Sequence, residues 1–316
     1  MKKIEKNGLK SKALPQTFVA LATENEKQGK KWDGLKMQNL NLGEAYQSIN
    51  TRPNLRFSHR LQDCSKFLEF EQGGDKWRLS KASFCNVRLC PVCQWRKSLV
   101  WQKRFSEALP KLEQAQPKAR FLFLTLTIRN CEVQDTRQTL KHLQQSLNRM
   151  VKLKDWPALG WVRTFEITRN ATDNTAHPHI HLLLMVKPSY FSHGYLTHEK
   201  WGQIWQQCLR VDYVPQVNVK VVKPKEGTTL NPIFSALLEV FKYSVKPSDL
   251  YECPEFLDTI TRQLKGVRSV GLGGLFKELI KDNDEDLHEL EGVEIENPQK
   301  LLYNFYPVWE QYARKK

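Results

Sequence analysis

No stretch of this 316-residue chain approaches the roughly 20 consecutive apolar residues that a membrane-spanning helix needs, so no span is expected. No segment recurs at a fixed period, which excludes a solenoid or propeller array. No Gly-x-x-x-x-Gly-Lys-Ser/Thr occurs, and Gly271-Leu272-Gly273-Gly274 is too short and wrongly flanked for a phosphate loop. Any ATP-driven step would therefore come from another protein. No export signal is read either: after Met1-Lys2-Lys3 the only early apolar run is Phe18-Val19-Ala20-Leu21-Ala22. With seven cysteines, an odd number, this points to a reduced cytoplasm rather than a disulfide scaffold. Acidic side chains are scarce: 34 Asp and Glu against 49 Lys and Arg leave a net charge of +15. That surplus favours a polyanionic partner, nucleic acid above all.

Against these absences stands His177-Pro178-His179-Ile180-His181, running into Leu182-Leu183-Leu184-Met185-Val186. On a strand, imidazoles at every second position share one face and can converge on one cation, although a strand mouth merely rich in histidine reads the same way. The surrounding pattern supplies the strand. Residues 121–128, 161–169, 178–186 and 216–223 alternate as strands, with helical spacing at Leu140, Leu143, Leu147 and Val151 and a helix opening at Thr197. The order β-α-β-β-α-β predicts an α+β fold with a ferredoxin-like antiparallel sheet, the split βαβ arrangement. Leu122, Leu124, Leu126, Ile180, Leu182 and Leu184 fall on the side that two helices cover. Thr125, Thr127, Glu166, His179 and His181 fall on the other, expected to be wet. A turn centred near Asp173 sets Glu166 across from His181 or its neighbour, giving a mixed nitrogen and oxygen donor set suited to Mg2+ or Mn2+.

A further helix is expected from a cap at Asn231 to Lys246, where Pro247 stops it. Phe234, Leu237, Leu238, Phe241 and Val245 form its apolar stripe. Glu239, Tyr243 and Lys246 line the opposite face at i, i+4 and i+7. A phenol beside a cation and a lysine becomes an accessible nucleophile, whereas the bland reading is a boundary aromatic and a lysine favoured by the helix dipole.

Cys90 and Cys93 form a C-x-x-C, with Cys85 five residues earlier and Cys64 as a fourth thiol. The set suits structural Zn2+, with packing cysteines or a redox pair as alternatives. The helix expected at residues 94–109 carries Arg96, Lys97, Lys103 and Arg104, either a duplex-DNA contact or an ordinary solvated face.

The His179-Ile180-His181 motif, the preceding Phe123-Leu124-Thr125-Leu126-Thr127, the Glu239 to Lys246 stretch and the Phe84 to Cys93 stretch together resemble the rolling-circle replication initiators (Rep) of small plasmids. These belong to the His-hydrophobe-His (HUH) endonuclease superfamily, and this chain looks like the single-tyrosine type. The resemblance implies that Tyr243 nicks one strand at a plasmid origin, keeps the 5′-phosphate and leaves a free 3′-OH. It further implies that His179 and His181 bind the divalent cation, and that Glu239 directs water for the terminating cleavage. Implied partners are origin DNA, duplex and single-stranded, and a host helicase, polymerase and single-strand-binding protein. The histidine comb is also similar to the histidine-triad nucleotide hydrolases, and a non-enzymatic zinc-containing DNA-binding regulator would account for the cysteines and charge.

Four regions are expected: a flexible basic arm at 1–55, a Cys-rich module with its basic helix at 56–115, the nuclease domain at 116–250, and an extension at 251–316 packing on that domain.

Overall fold

The computed structural model describes residues 13–74, 76–223, 232–241, 244–280 and 298–316. Ten strands follow one another along the chain: β1 (Phe18–Ala20), β2 (Phe67–Gly73), β3 (Lys76–Ala82), β4 (Arg120–Thr127), β5 (Ala158–Arg169), β6 (Ala176–Val186), β7 (Val217–Val221), β8 (Val270–Gly274), β9 (Gln299–Tyr306) and β10 (Gln311–Lys315). They form two antiparallel five-stranded sheets, ordered β1-β10-β9-β2-β3 and β7-β4-β6-β5-β8. The chain accordingly divides into two compact units, residues 1–93 with 287–316, and residues 94–286. The division falls in the first turn of the Pro91–Ala115 helix.

The second unit carries the expected fold. Its β4, β5, β6 and β7, with helices Thr136–Met150 and His198–Leu209 after β4 and β6, give the order β-α-β-β-α-β. Taken as first to fourth, these strands lie fourth-first-third-second across the sheet, the ferredoxin-like order. Thr197 caps its helix as expected, its hydroxyl accepting from Lys200 N–H at 3.1 Å. Leu122, Leu124, Leu126, Ile180, Leu182 and Leu184 are all buried. The opposite face is not open to water along its whole length. There Leu183 and Met185 pack with Trp101, Phe105 and Leu112 of the Pro91–Ala115 helix and with Leu237 and Val240 of the Pro232–Val240 helix. The end bearing the histidines is polar.

The fifth strand, β8, comes from the glycine run dismissed as a phosphate loop. Gly273 lies opposite Trp161, where a Cβ would stand 2.2 Å from the indole Cε2, and Gly274 has φ +54°. Glycine is needed for that approach and that backbone.

The first unit departs from the expected boundaries. Residues 26–63, largely within the expected arm, form helices Glu26–Ile49 and Arg52–Asp63. Trp32, Leu35, Leu42 and Tyr46 are their buried anchors, but the same face also buries Lys36 and Asn39, and this blurs the amphipathic pattern. Both nitrogens find backbone acceptors: Lys36 Nζ donates to the carbonyls of Gln62 and Cys64 at 2.7 and 2.6 Å, and Asn39 Nδ2 to that of Leu61 at 2.8 Å. The C-terminal residues likewise do not form an extension of the nuclease fold. Strand β9 alternates buried Leu301, Tyr303 and Phe305 with exposed neighbours and pairs with β2, while β10 pairs with β1, so period-two patterning commits them to the first sheet.

Within this unit Asp33 accepts Tyr312 N–H at 2.7 Å, yet burial outweighs that bond and raises its carboxyl to about 6. A carboxyl whose folded pKa lies above its unfolded one contributes fully below about pH 4 and loses that contribution as pH rises through the folded value. Asp33→Asn, which keeps the acceptor, should therefore raise the Tm at neutral pH, with the gain closing below about pH 4. Thermal melts across that range check it; identical melting at neutral pH would contradict it.

Candidate metal centres

Glu166 on β5 lies opposite His179 on β6, and Thr164 opposite His181. The register differs by two residues along β6 from pairing with His181, because the turn is centred between Thr172 and Asp173, with Arg169 opposite Ala176. Asn174 adopts φ +58°, Asp173 accepts both the N–H and the hydroxyl of Thr175, and Asn170 N–H donates to Thr175 carbonyl. The convergence survives this shift. Glu166 Oε2 stands 3.2 Å from His179 Nε2 and 2.5 Å from His181 Nε2. The three ligand atoms lie within 4.8 Å of one another.

The outer edge of each ring is engaged as well. His179 Nδ1 faces the His177 carbonyl at 3.3 Å, and His181 Nδ1 meets Thr125 Oγ1 at 3.1 Å, so both Nε2 atoms are turned inward. Partners at the second nitrogen fix ring orientation and tautomer in metal sites. Burial alone would raise the Glu166 pKa, but the hydrogen bonds from His179 and His181 overcome it and hold the carboxyl well below the usual range. The result is an anionic carboxylate between two nearly buried imidazoles, a donor set that fits a divalent cation. His177 is not part of the group; burial, and then the neighbouring His179, lowers its pKa.

The helix that sequence spacing extended to Lys246 ends at Val240. Tertiary bonds capture the backbone beyond it. Thr164 hydroxyl donates to Val240 carbonyl at 2.5 Å, Ile167 N–H to Ser244 carbonyl at 2.8 Å, and Val245 bridges Ile167. Ser244 N–H donates to Gln94 Oε1 at 2.9 Å, and Trp101 stacks on Phe241 with centroids 5.6 Å apart. The chain is thus fastened to β5 on both sides of Glu166. Glu239 is half-buried in the helix, and Lys246 is exposed and precedes the Pro247–Tyr251 helix as its cap, so the two do not share one helical face. Tyr243 lies outside the described residues, as does Asn231. Gln94 and Thr164 were not singled out from the sequence, and no local pattern marks them, since their partners lie 150 and 76 positions away.

In the first unit, Cys64, Cys85, Cys90 and Cys93 gather their sulfurs within 4.8 Å of one another. Cys64 Sγ is 3.6 Å from Cys90 Sγ and 3.7 Å from Cys93 Sγ, and Cys85 Sγ is 3.7 Å from Cys93 Sγ. Zinc to sulfur bonds of about 2.3 Å in a tetrahedron require edges of about 3.8 Å, so the set fits Zn2+. Backbone N–H groups of Cys85, Val87 and Cys93 each point at a cluster sulfur at 3.4 Å. Hydrogen bonding with Cys64 pulls the Cys93 thiol far down, while contact with Cys64 pushes Cys85 up and burial pushes Cys90 up. Of the basic side chains on the following helix, Arg96 and Arg104 are buried, and Arg104 lies over the Trp101 ring, so this is not a simple solvated face.

A family model described as Replication protein matches residues 76–315. The chain belongs to that family. A Protein rep from Streptococcus pneumoniae serotype 2 (strain D39 / NCTC 7466) is 38% identical over 268 residues, 82% of each chain. Proteins of the same name from Lentilactobacillus hilgardii and Lactiplantibacillus plantarum are each 32% identical, over 81% and 82% of this chain and 84% of their own. No solved structure matches. The resemblance to plasmid Rep initiators drawn from the motifs is borne out, and among the described residues no helix is long and apolar enough to cross a membrane.

Proposed function

We propose that this replication protein starts rolling-circle replication by nicking one strand of a plasmid origin with Tyr243. The observation that carries the reading is the convergence of Glu166, His179 and His181 on β5 and β6, beside the point where the chain flanking Tyr243 is tied to β5. Held by these three residues, Mg2+ or Mn2+ would supply charge neutralisation at a DNA phosphate. The Tyr243 oxygen bonds to phosphorus while the bond from phosphorus to the 3′ oxygen breaks. The phenol proton is lost to solvent and the 3′ oxygen gains one, leaving a 5′-phosphotyrosyl link and a free 3′-OH. Lys246 offsets the negative charge of the phenolate and phosphate. In the terminating step water bonds to the phosphorus of the linkage while the bond from phosphorus to the Tyr243 oxygen breaks; Glu239 takes the water proton, and the tyrosine oxygen regains one.

Neither rival reading is kept. His177 stands apart from the trio that a histidine-triad hydrolase would need intact, and membership of a replication family goes beyond a zinc-containing regulator. Unwinding and synthesis fall to a host helicase, polymerase and single-strand-binding protein, and the protein works in the cytoplasm. Zn2+ on Cys64, Cys85, Cys90 and Cys93 is structural.

Adduct trapping on a single-stranded origin with Mn2+ tests the chemistry. Tyr243→Phe, His179→Ala and His181→Ala should each cut adduct formation by about 100-fold or more, whereas Glu239→Ala should form the adduct and fail to release it. Undiminished cleavage in EDTA, or in either histidine variant, would remove the cation site. Loss of the first cleavage in Glu239→Ala would make that residue an activator of the tyrosine instead.

The cysteine cluster gives a separate measurement. Elemental analysis of the purified protein should find about one zinc per chain, and Cys90→Ser should lose it and lower stability. Absence of zinc in freshly purified protein would leave four packing cysteines.

A further inference from the structure

The Arg52–Asp63 helix has an exposed face for which packing gives no account. It docks through Asn54, Ser58 and Leu61, all buried. Opposite these residues it turns Arg52, Arg56, His59 and Arg60 outward, all exposed. The arginines recur every four residues, so they form one stripe with steps of about 6 Å. Together with Pro53, Phe57 and His59 they line a concavity of about 840 Å³.

Stability does not explain this stripe. The first turn contains no acidic residue, and Arg52 and Arg56 occupy the half of the helix where the macrodipole favours acids. Arg52 and Arg56 have no hydrogen-bond or ion-pair partner among the described residues. The one carboxylate of the helix, Asp63, stands at its far end.

The stripe is nevertheless held in place. The neighbouring Glu26–Ile49 helix binds the end of this one through Lys36 and Asn39, and Gly43 approaches the Ser58 carbonyl at 3.7 Å from an ideal Cβ position. At the other boundary Cys64 caps the helix with its N–H on the Arg60 carbonyl, and the Arg60 guanidinium donates to the Cys85 carbonyl. Two of the four clustered cysteines therefore fix the register of the stripe. A row of guanidiniums on a rigid rod, with those of Arg52 and Arg56 left without a partner among the described residues, complements a regular array of phosphates, and a duplex offers about one negative charge per 1.7 Å of its axis.

We propose that Arg52 and Arg56, with Arg60 and His59 beside them, are a contact surface for the phosphate backbone of duplex DNA, oriented by the cysteine cluster. The site precedes the family-matched residues 76–315. It rests on the initiator reading, in that duplex origin DNA is the partner, but not on the nicking chemistry.

The test measures duplex binding by the full-length protein against salt concentration, with a plasmid-origin duplex as probe. Arg52→Gln/Arg56→Gln should weaken binding by about tenfold or more near physiological salt and make the log-log salt slope shallower by about 1.8, two contacts at about 0.9 each. Arg52→Lys/Arg56→Lys, which keeps the charges, should bind within a few fold of wild type. Lys152→Gln/Lys154→Gln removes the same charge from exposed positions in the other unit and should change neither quantity appreciably. Wild-type affinity and slope in the glutamine variant would overturn the proposal. So would an equal loss in the lysine control, a lysine-for-arginine variant as weak as the glutamine one, or selective loss of single-strand rather than duplex binding. Nicking of a single-stranded oligonucleotide by wild-type protein is followed separately, and its failure would count against the tyrosine chemistry and not against this surface.

Discussion

The antiparallel pairing of β5 with β6 is the constraint on which the candidate cation site depends. Side chains alternate with a period of two, so a slip of one residue would send Glu166 to the face opposite His179 and His181. The register is fixed by the apolar residues between them. Ile180, Leu182 and Leu184 are fully buried on one face and Leu183 and Met185 on the other, and each is worth about 2 kcal/mol when withdrawn from water. Two hydrophobic layers thus hold a polar trio that would not hold itself together.

The same strand also receives the chain on either side of Tyr243. Thr164 and Ile167 flank Glu166, and they bind the carbonyls of Val240 and Ser244. A helix continued to Lys246 would have kept the Val240 carbonyl for the Ser244 N–H, which donates to Gln94 instead. Its early end exchanges helical bonds for bonds to β5, and this is the physical reason that the face expected from sequence spacing is not formed.

What could be read from the chain follows the strength of its local patterns. The ferredoxin-like sheet was legible because β4 to β7 alternate cleanly, and the cysteine cluster because C-x-x-C spacing is a chemical signature. Glu166 was legible only through register, and even there the position of the turn's centre moved its partner by two residues from His181. The first sheet was hidden for two reasons. Its strands come from opposite ends of the chain, and the helices beside it bury Lys36 and Asn39, whose partners near Leu61 to Cys64 are invisible at the level of periodicity. β8 was hidden because its glycines answer to Trp161, about 110 positions away in sequence, rather than to any turn of their own.

The central claim is that Glu166, His179 and His181 act together as the ligands of one divalent cation. Electron spin-echo spectroscopy of the full-length protein loaded with Mn2+ tests it most directly, because imidazole nitrogens bound to the ion give resolved couplings. The account predicts coupling to two such nitrogens, reduced to one in His179→Ala. Mn2+-dependent nicking by a protein whose bound ion shows no nitrogen coupling would contradict it.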